Sequence, residues 1–89
     1  MRVLVVFASR YGATQGIAER IAIILRQHGL DVALEDVQHA GDPAGYDAVV
    51  IGSAAYLSHW MKEASEFVRR HHTALEWRPV WLFSSGPLG

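Results

Sequence analysis

Four short apolar segments punctuate the chain at Val3 to Phe7, at Val32 and Leu34 within DVALE, at Ala48 to Ile51 and at Val80 to Phe83. The first is continuously apolar and rich in β-branched residues, the pattern of a strand covered on both faces, so it is predicted to be central. Asp31 to Glu35 alternates polar and apolar, with Val32 and Leu34 on one face, which suits a more exposed edge strand. Ala48 to Ile51 is again fully apolar and runs into Gly52 and Ser53, and Pro79 introduces the fourth strand.

Helical spacing fills the gaps. From Gln15 to His28, Ile17, Ile21, Ile24 and Leu25 form a stripe with Ala18 and Ala22 beside it, and Gly29 stands where a helix C-terminus favours glycine. A second helix is predicted from His59 to His72, capped by Ser58, with Trp60, Ala64, Phe67, Val68 and His71 on one face and Glu66 placed to pair with Arg70. Asp36 to Tyr46 carries Gly41, Pro43 and Gly45 and has room for only a short helical turn, while Thr73 to Arg78 reads as a loop around Trp77.

This order of strands, helices and crossover predicts an α/β fold: a doubly wound parallel sheet, its right-handed crossovers giving strand order 2-1-3-4. Ligands of such sheets sit beyond the carboxyl ends of the strands, where strand order reverses, between strands 1 and 3. The segments there are SRYGAT, GSAAYLSHW and SSGPLG.

Composition narrows the classes. The 89 residues allow one small domain, 51% of them hydrophobic and 19% charged, with no apolar run long enough for a membrane span. The opening MRVLVVFASR reads as a first strand and not as a leader. With no cysteine there is no thiol nucleophile, disulfide or thiolate metal site, and a cytoplasmic setting is expected. Eight basic and nine acidic residues are mixed along the chain for a net charge of −1, which offers no basic field for nucleic acid.

The candidate chemistry lies in Ser9 to Thr14. Between a strand and a helix, Gly12 permits a tight turn, Ser9 and Thr14 supply hydroxyls, Arg10 a full charge and the helix N-terminus a partial one, a set that suits a phosphate. The same hexapeptide also reads as an ordinary strand-to-helix turn in which Thr14 is an N-cap, and alone it fits either description. It contains neither G-x-G-x-x-G nor a Walker A loop.

Other chemistries lack their residues. The five histidines are scattered, and His71 and His72 are neighbours on a predicted helix, so they point apart. Ser9 and Ser53 are not held by a G-x-S-x-G elbow. A phosphate-accepting receiver domain needs acids after strand 1 and at the end of strand 3, where this chain has Ala8, Ser9, Arg10 and Gly52, Ser53.

SRYGAT after strand 1, YDAVVIGSAAY through strand 3 and VWLFSSGPLG through strand 4 together resemble the flavodoxin family, in particular the branch that includes menaquinone-dependent protoporphyrinogen oxidase. The resemblance covers essentially the whole chain and implies FMN as cofactor and an oxidoreductase or electron-transfer role, with no catalytic side chain and no metal. It places the FMN phosphate on Ser9, Arg10, Tyr11, Gly12, Ala13 and Thr14, with Tyr11 where the family usually has a shorter hydroxyl residue. It sets Ala54, Ala55, Tyr56 and Leu57 on one side of the isoalloxazine ring, and Ser84, Ser85, Gly86, Pro87, Leu88 and Gly89 on the other.

Two aromatics lie near the implied ring. Tyr56 suits stacking, loop packing or solvent equally, whereas Trp60 fits the buried stripe with Ala64 and Phe67. The family pattern continues beyond strand 4 with the rest of the second loop, a helix, a fifth strand and a last helix, so residues 1–89 correspond to the N-terminal part of the domain. Two expectations follow from that correspondence: weak FMN binding by these residues alone, and self-association through the strand 4 edge, since VWLF carries no charge to discourage pairing. A fragment with a structural or associative role and no competent flavin site is the alternative. The redox partner, a quinone or another carrier, has no signature in the sequence.

Overall fold

β1 (Arg2–Ala8) lies at the middle of a parallel sheet, flanked by β2 (Asp31–Asp36) and β3 (Ala48–Tyr56), and β3 is flanked in turn by β5 (Val80–Ser85). This is a computed structural model, and it describes residues 1–9, 12–56 and 59–85, with the side chains of Tyr56 and His59 excepted. The parallel order β2-β1-β3-β5 is the 2-1-3-4 arrangement expected, a flavodoxin-like α/β topology. A two-residue strand, β4 (His59–Trp60), folds back antiparallel on Ala55 and Tyr56 at the end of β3.

Alternation along β1 builds two cores. Leu4, Val6 and Ala8 face one way and join Val49, Ile51, Ala64 and Phe67, beneath α2 (Lys62–Arg70) and α3 (His72–Glu76). Val3, Val5 and Phe7 face the other way and join Val32, Ala48, Ala18 and Ala22, beneath α1 (Ala13–Gln27). Because both faces are covered, β1 from Val3 to Ala8 is buried throughout, which is why its sequence shows no polar alternation.

The structure corrects several local expectations. α1 begins at Ala13, with Gly12 as its N-cap, so Thr14 lies inside the first turn and not at the cap. Its buried face is Thr14, Ala18 and Ala22 with Ile21 and Leu25 alongside, whereas Ile17 and Ile24 are 39% and 53% exposed. Small side chains let the helix lie close to the sheet, and the two isoleucines are carried onto its flank.

The second helix is shorter than its periodicity suggests. His59 and Trp60 are extended, and α2 starts after the N-cap Met61, whose amide is held by Ser53 Oγ at 3.0 Å. Trp60 still packs on the cluster that holds Ala64 and Phe67, but from a strand. The expected cap Ser58 lies outside the described residues. Glu66 lies 3.8 Å from Lys62 Nζ in an i,i+4 ion pair rather than the one foreseen with Arg70. His71 packs its ring 4.7 Å from that of Phe67. Thr73 to Glu76 is helical, and Trp77, 79% exposed, follows it.

The crossover contains the short turn foreseen, a 3₁₀ helix at Pro43–Gly45 capped by Asp42 Oδ1 on the Ala44 amide. Arg78 donates from Nε to the Ala74 carbonyl and from one guanidinium nitrogen to the carbonyls of Pro43 and Tyr46, at 2.6–3.0 Å. That side chain joins the segments leading into β3 and β5 and so sets where both strands begin.

Candidate functional site at the carboxyl edge of the sheet

Register aligns the carboxyl ends of three strands. Phe7, Gly52 and Phe83 form one row across β1, β3 and β5, and Ala8, Ser53 and Ser84 form the next. Beyond that second row lie Ser9, the start of α1 and the β3–β4 pairing, the described parts of the segments expected at this edge.

On the α1 side, Gly12 has φ 91°, a left-handed conformation that favours glycine, and a Cβ built there would meet none of the described residues beyond its chain neighbours within 4 Å. Ser9 Oγ accepts from the Gly12 amide at 2.9 Å and closes the turn. The first helical bond is Gly16 N to Gly12 O at 3.0 Å, which leaves the amides of Ala13, Thr14 and Gln15 without intrahelical acceptors. The first turn of α1 carries no acidic residue to compete for them. The left-handed turn at Gly12 and a helix N-terminus whose first three amides lack intrahelical acceptors fit a phosphate group.

Thr14 is the surprise of this loop. Its side chain is fully buried, and its hydroxyl shares a 2.5 Å hydrogen bond with Ser85 Oγ at the end of β5. Ser85 can donate to Thr14, which leaves the Thr14 proton for another acceptor. The structure therefore brings Thr14, which the resemblance gives to the phosphate, into direct contact with Ser85, which it gives to one side of the ring.

The β3 side is held by Ser53, which is fully buried, donates to the Ala54 carbonyl at 2.8 Å and accepts from Met61 N. Ala54 is buried and Ala55 half-buried, each at a site where a small side chain leaves the edge open. Trp60 Nε1 donates to Ser84 Oγ at 2.6 Å. Sequence reasoning missed Ser53 and the Trp60–Ser84 contact. The only available signal was the hydroxyls at the ends of strands 3 and 4, whose pairing depends on register. Expectations for Arg10, Tyr11, Leu57, Gly86, Pro87, Leu88 and Gly89, and for the side chain of Tyr56, lie outside the described residues.

Cavities lie mostly elsewhere. A small one of about 110 Å³ adjoins Ser9 but is flanked by Asp36 and Glu63, whose carboxylates disfavour an anion. An apolar space of about 390 Å³ opens between α1 and β5, lined by Ile21, Leu25, Val50, Trp81 and Phe83. Among the described residues no cluster of three or more potential metal ligands occurs, and no helix is long and apolar enough to cross a membrane.

The flavodoxin domain family profile matches residues 4–88. This chain belongs to the flavodoxin domain family. The flavodoxin domain is 33% identical over 86 residues to protoporphyrinogen IX dehydrogenase [quinone] of Escherichia coli (strain K12), covering 94% of this chain and 48% of that protein. It thus spans about half the length of the curated relatives it matches. Among solved structures it is similar to oxidised flavodoxin 2 from Bacillus cereus, at 28% identity and TM-score 0.76, over 99% of this chain and 63% of the other. It also shares its fold with the Fusobacterium nucleatum flavodoxin bound to flavin mononucleotide, at 15% identity and TM-score 0.74, over 96% and 52% of the two chains.

Proposed function

We propose that this flavodoxin domain binds FMN at the carboxyl edge of its sheet and forms the flavin-binding portion of an electron-transfer oxidoreductase. The observation that carries the reading is Gly12: a left-handed residue at the mouth of α1, followed by three helix amides without intrahelical acceptors. In this reading Ser9, Arg10, Tyr11, Gly12, Ala13 and Thr14 hold the phosphate. Ala54 to Leu57 and Ser84 to Gly89 flank the ring.

Bound FMN would supply the electron chemistry. The protein's own task is to anchor the phosphate, orient the ring between the hairpin and the end of β5, and limit water there. Likeness to the Escherichia coli relative supports a part in oxidising a porphyrinogen with a quinone acceptor, and the lack of cysteine suits the cytoplasmic setting we propose. Titrating the apoprotein with FMN, followed by flavin fluorescence and the visible spectrum, tests the proposal. Saturable binding that inorganic phosphate weakens and Gly12→Ala reduces is the expected result. Binding indifferent to both, or none, refutes it.

One observation favours an associative role as well. Trp81 and Leu82 on β5 are 57% and 62% exposed, and among the described residues β5 pairs only with β3, so its outer edge is open to another strand. Light scattering across a concentration series reads this directly: concentration-dependent growth that Leu82→Lys abolishes supports pairing there, and a monomer at every concentration excludes it.

A further inference from the structure

Resting on the FMN reading, we infer that the two serines ending β5 act as a brace that separately positions the two halves of the site. Adjacent residues of a strand point to opposite faces. Ser85 follows this rule on the α1 side, where Phe83 also packs, and bonds Thr14 in the first turn of α1. Ser84 points to the α2 side and accepts from the indole of Trp60, the last residue of the β3–β4 hairpin.

Each bond spans a large gap in sequence, 71 residues for Thr14 to Ser85 and 24 for Trp60 to Ser84. Among the described residues these are the side-chain hydrogen bonds of β5 to the two loops, and its ladder with β3 sets Ser53 and Ala54 opposite Ser84 and Ser85. The ladder fixes the height of the two hydroxyls. The hydroxyls then fix the start of α1 on one side and the hairpin on the other. Ser85 is thereby a positioning residue for the phosphate loop, and Ser84 with Trp60 a positioning pair for the ring-side hairpin.

Comparing FMN with riboflavin, which lacks the phosphate, separates the two arms. Ser85→Ala should weaken FMN about fivefold more than it weakens riboflavin, because one modest hydrogen bond behind the phosphate loop is lost. Ser84→Ala and Trp60→Phe should each weaken both flavins by a similar factor. The double variant should be no worse than either single one, since each removes the same bond. If both serine variants weaken the two flavins equally, or the Trp60 and Ser84 effects multiply, the brace is refuted.

A ligand-free measurement keeps the inference separate from the FMN reading. Of the three tryptophan indole N–H signals in an ¹⁵N-labelled sample, that of Trp60 should exchange with water more slowly than those of Trp77 and Trp81, and Ser84→Ala should remove the difference. A Trp60 signal that exchanges as fast as the other two in the unchanged protein overturns the brace even where FMN binds. Slow exchange lost in Ser84→Ala supports it even where the unchanged protein binds neither flavin, a result that would refute the FMN reading alone.

Discussion

Replacing Gly52 with alanine places a methyl group where the Phe83 ring already lies, overlapping Cζ, Cε1 and Cε2 of that ring. Gly52 has no positive φ, so the glycine is required by the ring above it and not by the backbone. For an ordinary carbon contact, at about 3.5 Å or more, the ring must withdraw by over about 1 Å. It has somewhere to go, since Phe83 is half-buried and borders the apolar space between α1 and β5. Overpacking of this kind costs about 1–3 kcal/mol, and the gain from removing a glycine from a strand returns roughly 0.5–1 kcal/mol. A net loss of about 1–2 kcal/mol should lower Tm by roughly 5–15 °C for a domain of this size.

Urea denaturation of Gly52→Ala, Phe83→Ala and the double variant tests the cause as well as the size. In the Phe83→Ala background the three atoms nearest the methyl are gone, so Gly52→Ala should be neutral or slightly stabilising there. The cycle should therefore show a coupling of about 1 kcal/mol or more. Additive losses would refute the reasoning, because they would mean that the methyl is resisted by something other than the ring.

At Gly12, alanine meets none of the described residues beyond its chain neighbours, so its left-handed backbone is what resists. Gly12→Ala should cost about 1–2 kcal/mol in chemical denaturation, and Gly12→Asn less. Thr14→Val leaves the Ser85 hydroxyl without its partner and should cost about 1–2 kcal/mol in stability, with FMN affinity reduced by a similar amount in the titration above. Arg78→Ala removes hydrogen bonds to three carbonyls and should cost about 2–3 kcal/mol in a melt, with Arg78→Lys recovering only part because an ammonium lacks the guanidinium fork.

Much of this architecture is legible in local pattern. The unbroken apolar run of β1 declares a strand covered on both faces, and the alternation of Val32 and Leu34 declares an edge, because burial by neighbouring layers leaves its period in the sequence. The order of the elements and the handedness of crossovers then fix the 2-1-3-4 sheet and the edge at which a ligand would bind. A glycine between Ser9 and Thr14 correctly marks the turn that opens α1.

What the pattern could not carry depends on which residues become neighbours across the sheet. Trp60 has the spacing of a helical residue, but Ser53, eight positions before Met61, captures that residue's amide, and the helix starts only at Lys62. Thr14 reads as a hydroxyl for a phosphate or as an N-cap, yet register brings Ser85 to its hydroxyl, with Thr14 fully buried and Ser85 half-buried. Gly52 reads as the end of a strand, and only the row that sets it between Phe7 and Phe83 explains why it carries no side chain. Periodicity records how deeply a position is buried. The identity of the atom it meets is decided by the alignment of distant strands, which no local spacing encodes.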